Sequence, residues 1–114
     1  CNRSISEIDQ ADFDAEAKSN LKGQALFLRA FCYFNLVQYF GGVPLHTTPS
    51  TVYEEAFKPR ESVDEVYEKI MKDAQEASDL LPVKSRQEVG RVSKGSAQTL
   101  LGNVYMVLKR WAEA

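Results

Sequence analysis

Residues 27–45 read FLRAFCYFNLVQYFGGVPL, from Phe27 to Leu45. The stretch holds four of the six phenylalanines and two of the five tyrosines, and Arg29 is its only charge. Gly41-Gly42 ends the apolar run and Pro44 stands just beyond it. This punctuation predicts a helix from about Ala15 to Phe40. Asp14 is its N-cap and Glu16 lies in its first turn. A glycine takes the left-handed conformation at its end, and the proline forbids resumption. Leu21, Ala25, Leu28, Cys32, Leu36 and Tyr39 follow one stripe, while Phe27, Phe31, Phe34 and Val37 cover much of the rest. A helix apolar over most of its circumference is expected at the centre of a packed helical domain, with neighbours on more than one side. Cys32 then behaves as a small core hydrophobe. Arg29, set among apolar neighbours, requires acceptors. The expected partners are Asp73 or Glu76 from the next helix, or carbonyls at a helix end.

Upstream, Ile5, Ile8 and Ala11 give a short helical stripe, broken at Asp12-Phe13-Asp14. Downstream, Leu45 to Glu61 has no period, and it is long for a connection between packed helices. Both a structural wrap and a functional loop fit it. Ser62-Val63-Asp64-Glu65 is a capping box opening a third helix. Val63, Val66, Tyr67, Ile70, Met71, Ala74, Ala77 and Leu81 form its stripe, and Pro82 stops it. Glu65–Lys69 and Glu68–Lys72 are spaced as i,i+4 pairs. A polar connection with Gly90 leads to Ser93, a plausible N-cap. The stripe of Ala97, Leu100, Leu101, Val104, Tyr105 and Leu108 follows. Gly102 costs this helix about 1 kcal/mol against alanine, and close approach of a partner helix is the expected compensation. Lys109 and Arg110 suit a helix C-terminus. Trp111 to Ala114 reads as the first turn of another helix.

The 114 residues suffice for one small domain. A net charge of −2 announces neither nucleic acid nor a basic membrane-binding face. Cys1 and Cys32 have no zinc or redox spacing. No run of 18 apolar residues predicts a membrane-spanning helix, and this segment shows no signal-peptide pattern. His46 is the only histidine, which removes His dyads and multi-His metal sites. It reads as a solvated loop residue, and Glu54-Glu55 as a solvated acidic turn. No nucleotide, hydrolase or metalloprotease motif occurs. The expected assignment is therefore no catalytic residue, no metal ligand and no cofactor.

Leu101-Gly102-x-x-Tyr105, with Ala114 nine residues further on, has tetratricopeptide spacing, with Gln98 where that motif prefers Trp. A wider ordered set resembles the SusD/RagB family. It comprises Phe27-Leu28-Arg29-Ala30, Tyr33-Phe34-x-Leu36 and Gly41-Gly42-Val43-Pro44-Leu45. It continues with Pro59-Arg60-x-Ser62-Val63-x-Glu65-Val66-Tyr67 and Leu80-Leu81-Pro82. It closes with Gly90-Arg91-Val92-Ser93-x-Gly95-x-Ala97, then Leu100-Leu101-Gly102-x-Val104-Tyr105 and Trp111-x-x-Ala114. Gly95 stands where similar sequences often carry a larger helix former.

The resemblance implies an all-α fold of antiparallel helical hairpins of tetratricopeptide type, one helical domain over residues 1–114 of a much longer chain. It implies a non-catalytic lipoprotein on the surface of the outer membrane. Such a protein binds oligosaccharides or polysaccharides and works with a TonB-dependent, SusC-like transporter, and this segment is mainly scaffold. Asn2-Arg3-Ser4-Ile5 resembles the family's preceding helix, which puts Cys1 inside a helix and the lipidated cysteine upstream. The rival reading makes Cys1 itself the lipidated residue. A second functional reading is a tetratricopeptide module holding a peptide, with Asn35, Asn103 and Lys94 as the few suitable inner residues. Sugar binding uses exposed aromatic faces beside planar polar groups. Tyr39, Tyr53, Phe57 and Trp111 are the candidates, each with a packing role as its first explanation. No ligand-binding residue is carried over from the family.

Overall fold

Asp14 begins the long helix as predicted: its Oδ2 accepts from the Ala17 amide at 3.3 Å, and Glu16 lies in the first turn. The computed structural model describes residues 1–12 and 14–114. Phe13, in the middle of the predicted break, lies outside the described residues. The helices are α1 (Asn2–Glu7), α2 (Ala15–Phe40), α3 (Val63–Leu80) and α4 (Lys94–Val107). Short 3-10 turns occur at Ile8–Gln10, Tyr53–Ala56 and Lys84–Arg86. No strand occurs among the described residues. Successive long helices are antiparallel. α3 lies between α2 and α4, and α1 rests on α2.

The caps account for the boundaries. Ser62 Oγ accepts from the Glu65 amide at 3.3 Å, and Glu65 Oε2 accepts from the Ser62 amide at 3.1 Å. Ser93 and Ser96 make the equivalent box at α4. α4 ends with Lys109 at φ 58°. There the Arg110 amide donates to the Tyr105 carbonyl and the Lys109 amide to that of Met106, which is the Schellman arrangement.

One core joins Ala30, Tyr33, Phe34 and Val37 of α2 to Val66, Tyr67, Ile70 and Ala74 of α3 and to Leu100, Leu101 and Val104 of α4. A second cluster holds Leu26, Ala77, Leu81 and Ala97. The fully buried alanines let the helix axes approach. Gly23 does the same against Leu81, where an added Cβ would meet Leu81 Cγ at 2.9 Å.

Several expectations are corrected. The buried stripe of α2 runs through Leu26, Ala30, Tyr33, Phe34 and Val37. Of the predicted stripe only Ala25 is buried; Leu21, Leu28, Leu36, Tyr39 and Cys32 are exposed. Cys32 is thus not a core residue. Both faces of α2 are apolar, so periodicity alone could not choose between them. The middle element is α3, whose single clean stripe serves two neighbours because its small residues admit both. Neither predicted pair on α3 forms: Lys69 turns to Asp73, its other i,i+4 acid, at 2.9 Å. At Gly102 the close neighbour is not a partner long helix but the Ala114 carbonyl, 3.6 Å from an added Cβ.

Gly95 is open: an added Cβ would have only Ser93 Oγ nearby, at 3.9 Å. Gly95→Ala is therefore expected to stabilise α4 by about 0.5–1 kcal/mol, seen as a higher urea midpoint with unchanged slope. Glu65 also sets a pH dependence. Its hydrogen bonds, first from the Ser62 amide and then from the Ser62 hydroxyl, hold its carboxyl below the ordinary 4.5. A depressed folded value means stabilisation present above the unfolded value and lost as pH falls through the folded one. Below about pH 4.5 the thermal midpoints of wild type and Glu65→Ala are expected to converge. A difference that persists well below that range would contradict the capping role.

Candidate functional site

Arg29 lies on the buried side of α2 and is 7% exposed. Its Nε donates to Asp73 Oδ2 at 2.6 Å and its Nη2 to Asp73 Oδ1 at 2.9 Å. Nη1 reaches Asn2 Oδ1 at 3.0 Å and the Thr47 carbonyl at 3.2 Å. Asp73 is 1% exposed and also receives Lys69 Nζ. The bidentate geometry, with at least one acceptor for every nitrogen, satisfies a guanidinium that burial would otherwise penalise. Of the two acids named from sequence, Asp73 takes the role; Glu76 pairs instead with Lys22 at 3.7 Å.

The same cluster fixes the backbone after the GGVPL turn. The His46 amide donates to Tyr33 Oη at 2.7 Å, and Asn2 Nδ2 donates to the His46 carbonyl at 2.5 Å. α1, the chain around residues 46–47 and α3 are thereby tied to one turn of α2. The sequence pointed to Arg29 through its apolar surroundings. Asn2, Lys69 and the Tyr33 hydroxyl carried no comparable signal, because each lies in a pattern that ordinary packing explains.

Above this cluster is a groove of about 510 Å3, lined by Cys1, Asn2, Arg29, Cys32, Tyr33, Leu36, Val43, Pro44 and His46. A second of about 380 Å3 continues past Cys1 along Leu21, Ala25 and Leu28. The Arg29 hydrogen bonds at the groove already have partners. Both cysteines are unpaired thiols at the surface. No group of three His, Cys, Asp or Glu residues among those described is arranged to hold a metal ion. Burial pushes the Tyr67 hydroxyl up, but Tyr67 lies in the core, away from the groove. The groove thus offers an apolar surface with the Cys1 and Cys32 thiols in its wall.

The four candidate sugar-facing aromatics do not pack as expected. Tyr39, Tyr53, Phe57 and Trp111 are all exposed, because each lies at a helix end or in a turn beyond the reach of the α2–α3–α4 core. They are not gathered at one place in the sequence: Tyr53 and Phe57 share a turn and touch, with ring centroids 4.8 Å apart. Tyr39 instead lies beside Phe40. Among the α2 phenylalanines, Phe31 is exposed, Phe27 is partly buried and Phe34 is buried. Asn35, considered for a peptide groove, donates to the Phe31 carbonyl of its own helix. No helix of the described residues is long and apolar enough to cross a membrane.

Comparison with known proteins places this architecture. A family model described as SusD-like, starch-binding and associating with the outer membrane, matches residues 1–106. SusD-like protein P38 of Formosa agariphila is 37% identical over 93 residues, covering 81% of this chain and 18% of that protein. A SusD-like protein from Bacteroides fragilis superposes with a TM-score of 0.90 at 35% identity, covering 99% of this chain and 22% of the other. A laminarin-binding SusD-like protein superposes at 0.89 with 33% identity, covering 99% and 25%. The chain thus spans about a fifth of the length of the curated relatives it matches. The turn at Gly41-Gly42, the capped α3 and all but the last residue of α4 fall inside the matched residues, and the chain belongs to the SusD-like family of carbohydrate-binding proteins.

Proposed function

We propose that the protein containing this chain captures glycans non-covalently at the outer-membrane surface and passes them to a TonB-dependent, SusC-like transporter. In this reading residues 1–114 form one helical domain of a longer chain and act chiefly as scaffold. The observation that carries it is the family match over residues 1–106, whose description is starch-binding and outer-membrane-associated. The laminarin-binding relative of the same helical architecture supports it. So does the Arg29–Asp73 cluster, whose buried, bidentate geometry suits a rigid support better than a ligand contact. The lipid anchor is a cysteine upstream of Cys1, and a surface lipoprotein needs no membrane-spanning helix.

The test is to purify the tagged full-length protein from outer membranes under mild detergent. Co-purification of a TonB-dependent transporter in defined stoichiometry is the expected result, and mass spectrometry should find the acyl chains on an upstream cysteine. Purification without any transporter, whatever the detergent, would contradict the partnership. A diacylated Cys1 would overturn the anchor assignment.

A further inference from the structure

We propose that Tyr53 and Phe57 form an aromatic platform that stacks on the pyranose rings of a neutral glucan. The proposal rests on the glycan-binding reading above and assigns a contact surface to it. Tyr53 is 77% exposed and Phe57 67% exposed. Their rings meet edge to face, at 4.8 Å and 67°. Edge-to-face packing fixes the two rings against each other while leaving open faces to the solvent.

The turn beneath them is held. Glu55 Oε2 accepts from the Thr51 amide at 3.1 Å, and Lys58 Nζ donates to the Leu45 carbonyl at 3.4 Å. The platform is thereby fastened to the end of the GGVPL turn, which the Arg29 cluster anchors in its turn. In the same stretch of chain, the Glu54 carboxylate and the Arg60 guanidinium carry no ion pair or hydrogen bond among the described residues. They are planar acceptors and donors of the kind sugar hydroxyls use. The turn carries two acids and two bases, Glu54 and Glu55 against Lys58 and Arg60. This balance gives no attraction to a sulfated or uronate chain and fits a neutral one.

The outer face of α2 differs in kind. Leu21, Leu28, Phe31 and Leu36 are exposed along it, and exposed apolar residues of this kind mark surfaces that protein covers. The Tyr53–Phe57 turn is aromatic and bordered by charge. That contrast favours a saccharide over a protein partner there.

The experiment titrates the full-length protein with laminarin and with amylopectin, neutral glucans of β and α linkage, by calorimetry. Wild type is expected to bind at least one. The double variant Tyr53→Ala/Phe57→Ala is expected to bind it at least about tenfold more weakly, with an unchanged thermal midpoint. Tyr53→Phe, which keeps the ring, is expected to retain binding, as is Trp111→Ala. Wild-type affinity in the double variant would overturn the platform and leave the glycan-binding reading standing. Binding of neither glucan by wild type would overturn the neutral-glucan platform. The glycan-binding reading itself is then decided by a wider panel including anionic chains.

Discussion

Asp73→Ala is expected to destabilise the helical domain by about 3–5 kcal/mol, the largest effect of any single side-chain truncation away from the apolar core. The substitution leaves the Arg29 guanidinium in its buried place with no carboxylate. Asn2 Oδ1 and the Thr47 carbonyl serve only Nη1, so Nε and Nη2 lose their acceptors together. Lys69 loses its partner as well, though it is more exposed and its share is small. Since a whole domain is stable by only about 5–15 kcal/mol, the variant should be largely unfolded at modest urea. A double variant separates the cost of an orphaned charge from the value of the pair. Arg29→Met/Asp73→Leu removes both charges at similar volume and is expected to recover most of the loss. Equilibrium urea unfolding of all three proteins reads the difference. An Asp73→Ala midpoint close to wild type would mean that water reaches the guanidinium, contrary to its burial.

The second large effect is expected at the glycine pair. Gly41 has φ 71° and ψ −139°, a region close to one that only glycine occupies freely, so Gly41→Ala should cost about 1–3 kcal/mol in strain. Gly42 has no unusual φ; its constraint is space. A Cβ there would run into the carbonyl oxygen of Glu61, a backbone atom that cannot swing aside. The contact is fixed because the Glu61 amide donates to the Val43 carbonyl at 3.2 Å, just ahead of the Ser62 cap. Gly42→Ala is expected to cost about 1–3 kcal/mol or more and to disturb the start of α3 as well as the end of α2. Gly90→Ala is the control: its φ of 88° brings strain, but no atom lies within 4 Å of the added Cβ. Hydrogen exchange at the first amides of α3 should therefore rise in Gly42→Ala and not in Gly90→Ala. Equal protection in the two variants would contradict the crowding account.

These two sites show what the sequence made legible. The helix ends were readable because caps are local: Asp14, Ser62, Ser93 and Gly41 each act within a few residues of themselves. The Arg29 pair was readable because a lone charge in an apolar run must be answered, and few acids on the next helix were in register. The buried face of α2 was not readable. Leu21, Leu28 and Leu36 are as apolar as Leu26 and Val37, and only the placement of α1, α3 and the chain after Gly42 decides which face is covered. Cys32 was misplaced for the same reason. The crowding at Gly42 depends on a segment nineteen residues away (Glu61 against Gly42), so no local pattern announced it. The exposed aromatics were named but expected to pack, because residue type alone does not show that the core ends before Tyr53, Phe57 and Trp111.

The groove beside Arg29 and the aromatic turn therefore stand in different relations to function. The groove is apolar, and the Arg29 nitrogens at its edge already have acceptors. The turn is exposed, aromatic and held from beneath by Glu55 and Lys58. The Thr47 carbonyl on Arg29 and the Leu45 carbonyl on Lys58 connect the cluster to the turn by a short path. Under the proposed function, the cluster is the support that positions the turn.

The central claim is capture without chemistry, and one measurement tests it most directly. The full-length protein is titrated calorimetrically with a panel of glycans that includes laminarin and amylopectin. The glycan recovered from the cell is then sized by chromatography. The account predicts saturable binding to at least one glycan, with that glycan recovered at its original length. Shortened chains in the recovered material, or no binding across the whole panel, would contradict it.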